Sequence, residues 1–429
     1  PTRSDTILVS TTNYNDDGEV FSPIDPQNTE TRFEYDAVGR QVIQIENYVS
    51  GGTAADQNRT AWTIYTADGL VSRLTASNAV TGNQQTKYDS RGMVSKLTTW
   101  DNATVGSGTI LNQVQNEYNE FGQQTDSYQA HDGSVNISST PVVRFNYYHG
   151  GGNRIRITGM TYPNGRDLTY DYGVADGTND ACSRIESIIN NSDSLNLVAY
   201  QYLGTSGFVN AAASQPGINW TLYGTTNDPN TGDIYSGLDR FGRVDNCLWK
   251  QSTTTLAQIQ YGYDRASNRT WRKDGVLTGY DELYAYDGLY RLNDQKRGTL
   301  NGTQTAITSG TFEQQWGLDA TGNWKTFKQD NDGNGTWELN QTRTANKANE
   351  ITGITNSVGA AWATPTYDPA GNMIGIPNPQ SLTAEYDAWN RLVSIKDGAT
   401  TICENVYDAR GYRIRKDTYT SGTLTEARH

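Results

Sequence analysis

Apolar residues along this 429-residue chain follow neither a helical stripe nor a strict alternation. They fall at fixed offsets from recurring glycines and asparagines. Val94 and Leu97 stand two and five places after Gly92, and Trp324 and Phe327 stand likewise after Gly322. Met373 and Ile376 follow Gly371 at the same offsets, as Leu392 and Ile395 follow Asn390. A separation of three breaks the two-residue period of a flat strand, so a bulge or strong twist is expected between the two apolar positions. Gly and Asn interrupt the chain too often for an amphipathic helix, and Leu195–Tyr202 alternates like a strand. The elements predicted are short strands joined by tight turns, in an all-β chain.

Each of those glycines or asparagines closes a motif that begins with a tyrosine-aspartate pair or a degenerate form of it. The clearest copies are Tyr35-Asp36-Ala37-Val38-Gly39-Arg40, Tyr88-Asp89-Ser90-Arg91-Gly92 and Tyr263-Asp264-Arg265-Ala266-Ser267-Asn268-Arg269. Two more are Tyr386-Asp387-Ala388-Trp389-Asn390-Arg391 and Tyr407-Asp408-Ala409-Arg410-Gly411. Degenerate copies include Tyr118-Asn119 to Gly122, Leu238-Asp239 to Gly242-Arg243, Tyr286-Asp287, Leu318-Asp319 to Gly322-Asn323, and Tyr367-Asp368 to Gly371-Asn372. Aspartate suits the first position of a type I turn, where its carboxylate accepts an amide two residues on. Glycine or asparagine at the fourth position accepts a positive φ and closes the turn with a bulge. Each copy therefore reads as a β-hairpin whose incoming strand ends in a tyrosine, with the ring packed on the sheet and the hydroxyl free to find a partner.

A unit this small cannot bury its own apolar face and must stack on its neighbours. The expected architecture is one continuous spiralling sheet of tandem hairpins, a hollow barrel-like body over residues 31–429, preceded by a lead-in strand segment over 1–30. The long interval between the motifs at 318 and 367 is expected to hide a unit without its signature, with strand and turn around Asn340–Thr344 and Asn346–Ile354. Prolines sit near turns, at Pro163-Asn164-Gly165 and Pro377-Asn378-Pro379.

The repeats resemble those of the YD-repeat, or Rhs-repeat, family, whose consensus is close to Tyr-Asp-x-x-Gly-Arg-Leu. The resemblance covers essentially residues 30–420, and Thr161-Tyr162-Pro163-Asn164-Gly165-Arg166 and Leu238-Asp239-Arg240-Phe241-Gly242-Arg243-Val244 look like bacterial members. It implies a long sheet that spirals into a hollow shell, used in bacteria to enclose a toxic cargo and found in the ectodomain of animal teneurins. Shells of this type close with paired Asp-Pro-x-x-Gly motifs that carry the aspartates for self-cleavage. Only an isolated Asp368-Pro369-Ala370-Gly371 is present here, so neither self-cleavage nor a toxin activity carries over. Pro1 is not a natural start, and the sequence reads as a piece of something longer.

Composition narrows the functions. Only 35% of residues are hydrophobic, yet there are 27 Tyr and 10 Trp against 8 Phe, aromatics suited to a thin, half-wet sheet. A dispersed net charge of −13 argues against a nucleic-acid partner. No apolar run reaches the roughly 18–20 residues that span a membrane, so no membrane insertion is expected. Cys182, Cys247 and Cys403 are in neither a metal-ligand nor a redox spacing. Among His131, His149 and His429 none stands in a nucleophile setting, and Gly150-Gly151-Gly152 lacks the strand-to-helix context of a phosphate loop. The repeated aspartates are turn caps rather than acid–base pairs. No catalytic residue, and no enzyme activity, is expected.

One segment offers metal chemistry. Asp330-Asn331-Asp332-Gly333-Asn334-Gly335 fits the Asp-x-Asp-x-Asn-Gly opening of a calcium loop, with Asp330, Asp332, Asn334 and Glu338 as oxygen donors. The twelfth position holds Gln341 rather than the bidentate Glu, and no helices flank it, so the competing reading is a plain Asx-rich hairpin turn with no cofactor. Triplets such as Asn102-Ala103-Thr104, Asn136-Ile137-Ser138 and Asn219-Trp220-Thr221 arise by chance in so Asn- and Thr-rich a chain. The function expected is a non-enzymatic structural protein, secreted or on the surface of a bacterium, whose partner is a protein cargo. Two alternatives stay open: copies that polymerise with one another into a filament or matrix, and an adhesion module whose Trp62, Trp100, Trp220, Trp249 and Trp271 stack on glycans.

Overall fold

The structure, a computed structural model, describes residues 9–54, 57–76, 83–102, 104–148, 155–204, 207–222, 237–376 and 381–429. Most of the described strands pair antiparallel with their neighbours in sequence, as hairpin connections demand. The chain divides into two compact units, one of Pro1–Val143, Arg343–Thr355 and Ala361–His429, the other of Arg144–Thr342 and Asn356–Ala360. The all-β expectation holds, with one departure among the described residues: a helical turn, Thr178–Ala181, that buries no residue.

In the first unit, Thr11–Tyr14 and Val20–Ile24 form a two-stranded sheet, and successive hairpins run from Arg32–Tyr35 to Gln124–Ala130. A separate seven-stranded sheet runs in sequence order from Thr366–Tyr367 to Thr423–Arg428. In the second unit the hairpins continue from Ile157–Thr161 through Trp324–Asp330.

Bulges account for the three-residue apolar spacing. In the hairpin of Asn83–Tyr88 and Val94–Trp100, Tyr88 faces Val94 but Lys87 faces Lys96, so Ser95 is the extra residue. Such a bulge turns two consecutive side chains to one face, which brings Val94 and Leu97 to the same side. The same shift at Lys325 brings Trp324 and Phe327 together, with ring centroids 5.3 Å apart and Trp316 of the partner strand beside both.

The interior is more polar than a conventional core. In the second unit Val209, Leu222, Cys247 and Ile259 form an apolar cluster, with Trp220 and Trp249 packed on it as a cross-strand pair. Elsewhere the largest fully buried side chains are polar, among them Gln341, Asn83, Thr98 and Asp330. Buried polar groups persist where they are hydrogen-bonded. Asn83 takes the amide of Ala76 and donates to the carbonyl of Asn102, and Gln113 donates to Thr98 Oγ1 at 2.8 Å. Such side chains close the hairpin ends opposite the tyrosine-aspartate turns.

Candidate functional site

The repeated turn is built by its aspartate. At Tyr35-Asp36, the Asp36 amide donates to the Arg40 carbonyl and the Gly39 amide returns to the Asp36 carbonyl, both at 2.9 Å. Gly39 has φ +78°, the left-handed closure expected of it. Asp36 Oδ1 accepts the amides of Val38 and Arg40 at 3.0 Å each, and Oδ2 takes Arg40 Nε at 2.7 Å. The amide and guanidinium of Arg40 hold the Asp36 carboxyl below the usual carboxylate range. The same set recurs at Asp239 with Gly242 and Arg243, and at Asp387 with Asn390 and Arg391. At Asp89 and Asp408, where Gly92 and Gly411 carry the positive φ, the arginine comes two residues after the aspartate instead, as Arg91 and Arg410.

One copy departs from the sequence reading. At Tyr263-Asp264 the left-handed residue is Ser267, with φ +71°, not Asn268. The turn spacing puts Asn268 where the copies at Asp36, Asp239 and Asp387 carry arginine, and its side-chain amide donates to Asp264 Oδ2 at 2.8 Å. Arg269 lies over the Tyr261 ring, 4.3 Å from its centroid.

The turns are also tied to one another. The tyrosine hydroxyls of most turns reach back to a carbonyl two places past the preceding left-handed residue, while that of Tyr367 accepts the Ile351 amide at 3.4 Å. Tyr88 donates to Val71 at 2.8 Å, Tyr118 to Val94 at 2.8 Å, Tyr263 to Val244 at 2.6 Å and Tyr407 to Leu392 at 2.8 Å. The arginine reaches forward. Arg243 Nη1 donates to the carbonyl of Asp264 at 3.1 Å, Arg291 Nη1 to Asp319 at 2.7 Å and Arg391 Nη1 to Asp408 at 3.1 Å. Its guanidinium then stacks on the next tyrosine: Arg40 on Tyr65 at 4.6 Å, Arg243 on Tyr263 at 4.5 Å and Arg391 on Tyr407 at 4.8 Å. Tyrosine, aspartate and arginine thus form a ladder along one edge of each sheet.

The hidden unit is present at Asn346. The Asn346 amide donates to the Glu350 carbonyl at 2.9 Å, and Asn349 closes the turn at φ +64°. Asparagine replaces the aspartate and Ala345 the tyrosine, which removes the signature and keeps the acceptor. Sequence reading missed two such turns inside the lead-in segment, at Asn15 with Gly18 and at Asp25 with Asn28. The spacing of Tyr14-Asn15-Asp16-Asp17-Gly18 carries the signal for the first. His149, Gly150 to Gly152, Ala103 and Pro377 to Pro379 lie outside the described residues.

The acidic loop brings Asp330, Asp332 and Glu338 together, with one carboxylate oxygen of each within 4.8 Å of the others. That is close enough to share one divalent cation. The same oxygens serve the backbone. Asp330 Oδ1 accepts Gly333 at 2.6 Å and Oδ2 accepts Gly335 at 2.7 Å, while Glu338 Oε2 accepts the Asn331 amide at 2.6 Å. Asn334 turns its carbonyl oxygen to the Thr336 amide at 2.8 Å and its side-chain amide to Asp332 Oδ2 at 3.0 Å. Burial of Asp330 opposes its charge, but the amides of Gly335, Gly333 and Asp332 outweigh it and keep the carboxyl below its usual range. Gly333, at φ +71°, lies so close to the Gly310–Thr311 backbone that a Cβ would collide. Of the tryptophans considered for sugar stacking, Trp220 and Trp249 are spent on the apolar cluster, Trp271 lies against Gly262, and Trp62 is 37% exposed.

No protein-family model matches this sequence, and no curated protein matches it. Solved structures do share the fold. One is the Tc holotoxin pore of Photorhabdus luminescens carrying a mutation in TccC3, at TM-score 0.59 and 12% identity, covering 96% of this chain and 22% of that one. A second is the TcdB2–TccC3–TEV structure, at TM-score 0.57 and 12% identity, covering 97% and 22%. A third is TcdB2–TccC3–Cdc42, at TM-score 0.54 and 12% identity, covering 96% and 23%. The chain therefore spans about a fifth of the length of these chains, and the likeness is one of fold alone, an all-β shell-type sheet of the kind that the YD-repeat resemblance implies.

Proposed function

We propose that this chain is a wall segment of a protein shell that encloses or scaffolds a cargo protein, outside the cell and without catalysis. The observation that carries the reading is the ladder of tyrosine-aspartate turns in a fold shared, over 96% of the chain, with a toxin complex. Walls of this kind need rigidity and a satisfied backbone, and the ladder supplies both, since each turn is fixed to the one before and the one after. The similar structures include a holotoxin pore and complexes of TcdB2 and TccC3. A shell role for the present chain extends from that likeness.

Negative-stain electron microscopy of the purified chain tests the reading. Discrete hollow particles are expected. Filaments would favour a second reading, edge-to-edge assembly of copies, which one feature supports: Thr423–Arg428 ends its sheet with every residue exposed. An exposed edge strand is a template for pairing with another chain.

A further inference from the structure

Two histidines far apart in sequence meet on the surface of the first unit. His131 follows the strand Gln124–Ala130, and His429 follows Thr423–Arg428 of the seven-stranded sheet. Their rings stack with centroids 5.2 Å apart and planes 13° from parallel, and their Nδ1 atoms are 2.9 Å apart. A contact that short needs one nitrogen to donate and the other to accept, so at least one of the two Nδ1 atoms must be unprotonated. When both rings are charged, two N–H groups and two positive charges face each other.

We propose that this stack is an acid-sensitive latch, holding the end of the seven-stranded sheet on the loop after Gln124–Ala130 at neutral pH and releasing it on acidification. The charged groups around it are Asp132, Asp408 and Arg415. The two carboxylates favour a protonated His131, but burial and then the opposing charge of His429 prevail and keep its pKa below the ordinary imidazole value. Asp132 is shared with Arg415 at 3.4 Å, and on the last strand Arg428 and Glu426 pair with each other at 2.7 Å. The sign follows from linkage. A ring whose pKa is lowered in the docked state binds more protons once released, so falling pH drives release. The device is local, because elsewhere the same sheet is held to Ile110–Tyr118 through Asn112 Nδ2 and the Tyr407 carbonyl at 3.0 Å, a contact that does not titrate.

Hydrogen exchange of the whole chain tests this, comparing amides of Thr423–Arg428 at about pH 7.5 and about pH 5, which bracket the imidazole range. After correction for intrinsic exchange rates, protection of this strand is expected to fall by roughly tenfold or more at the lower pH. His131→Phe keeps a ring to stack but cannot titrate, and its protection should be the same at both pH values. His429→Phe serves as the same comparison if the first variant folds poorly. Protection that does not change with pH in the unmodified chain, or that falls equally in the phenylalanine variants, would overturn the latch.

Discussion

At the scale of single residues, the fourth position of each turn carries the local energetics. It lies in the left-handed region whether it is Gly39, Asn390, Ser267 or Tyr290, with φ between +60° and +78°. Only glycine adopts that region without a Cβ penalty, and a bulky side chain there is an outlier. Tyr290, at φ +62°, is 64% exposed, so its ring gains little packing to offset the strain. Tyr290→Gly should therefore raise stability by about 1 kcal/mol in urea unfolding. Gly242→Ala should lower it by a similar amount, roughly 1 kcal/mol, since nothing within 4 Å would touch the new Cβ and the cost is backbone alone. At the acidic loop, Asp330→Ala removes the acceptor of the Gly333 and Gly335 amides in a buried setting and should cost about 2–3 kcal/mol. Because these amides already occupy the loop's oxygens, added calcium is expected to leave the melting temperature unchanged. A melting temperature that climbs with calcium would reassign the loop as a cation site.

At the scale of elements, the hairpin is the unit that sequence could deliver, because its turn chemistry is contained within five or six residues. The aspartate cap, the left-handed closure, the bulge behind the apolar spacing and the unit hidden at Asn346 were all readable for that reason. The links between hairpins were not, since they depend on which turn lies beside which. Nothing in Tyr263 alone says that its hydroxyl reaches Val244, nor in Arg391 that it reaches the Asp408 carbonyl. The role of Asn268 was misplaced by one residue, since serine at a positive φ is not the default choice and Asn268 offered a better match by type. The buried polar side chains were equally hidden, because Gln341 and Asn83 look like surface residues until their partners are known. The ladder itself can be measured. Arg391→Ala and Tyr407→Leu, separately and together, should show a coupling of about 0.5–1 kcal/mol in urea unfolding. Coupling indistinguishable from zero would reduce the ladder to a row of independent turns.

For the whole molecule, the turn carboxylates set how the chain responds to acid. Asp36 and Asp89 in the first unit and Asp264 and Asp287 in the second are held below the usual carboxylate range, chiefly by hydrogen bonds from backbone amides or the paired side chain. A carboxyl whose folded pKa is depressed contributes stability that is complete above its unfolded value and disappears as pH falls through the folded one. The unfolded value for aspartate is about 3.9, so the loss belongs below about pH 4. Both units carry such groups, and both should weaken in the same window. Melting temperatures should stay level from about pH 7 to about pH 5 and drop steeply towards pH 3, faster than the chain's net charge of −13 alone would require. The comparison that isolates the turns is Asp36→Asn with Asp287→Asn, which keeps one acceptor oxygen and removes the titration. It should lower the neutral-pH melting temperature and flatten the acid limb. This window lies well below the imidazole range, so release of the strand Thr423–Arg428 near pH 5 would precede any general unfolding. A single transition in which strand protection and melting temperature fall together would mean that the turns and the histidine pair do not act as separate devices.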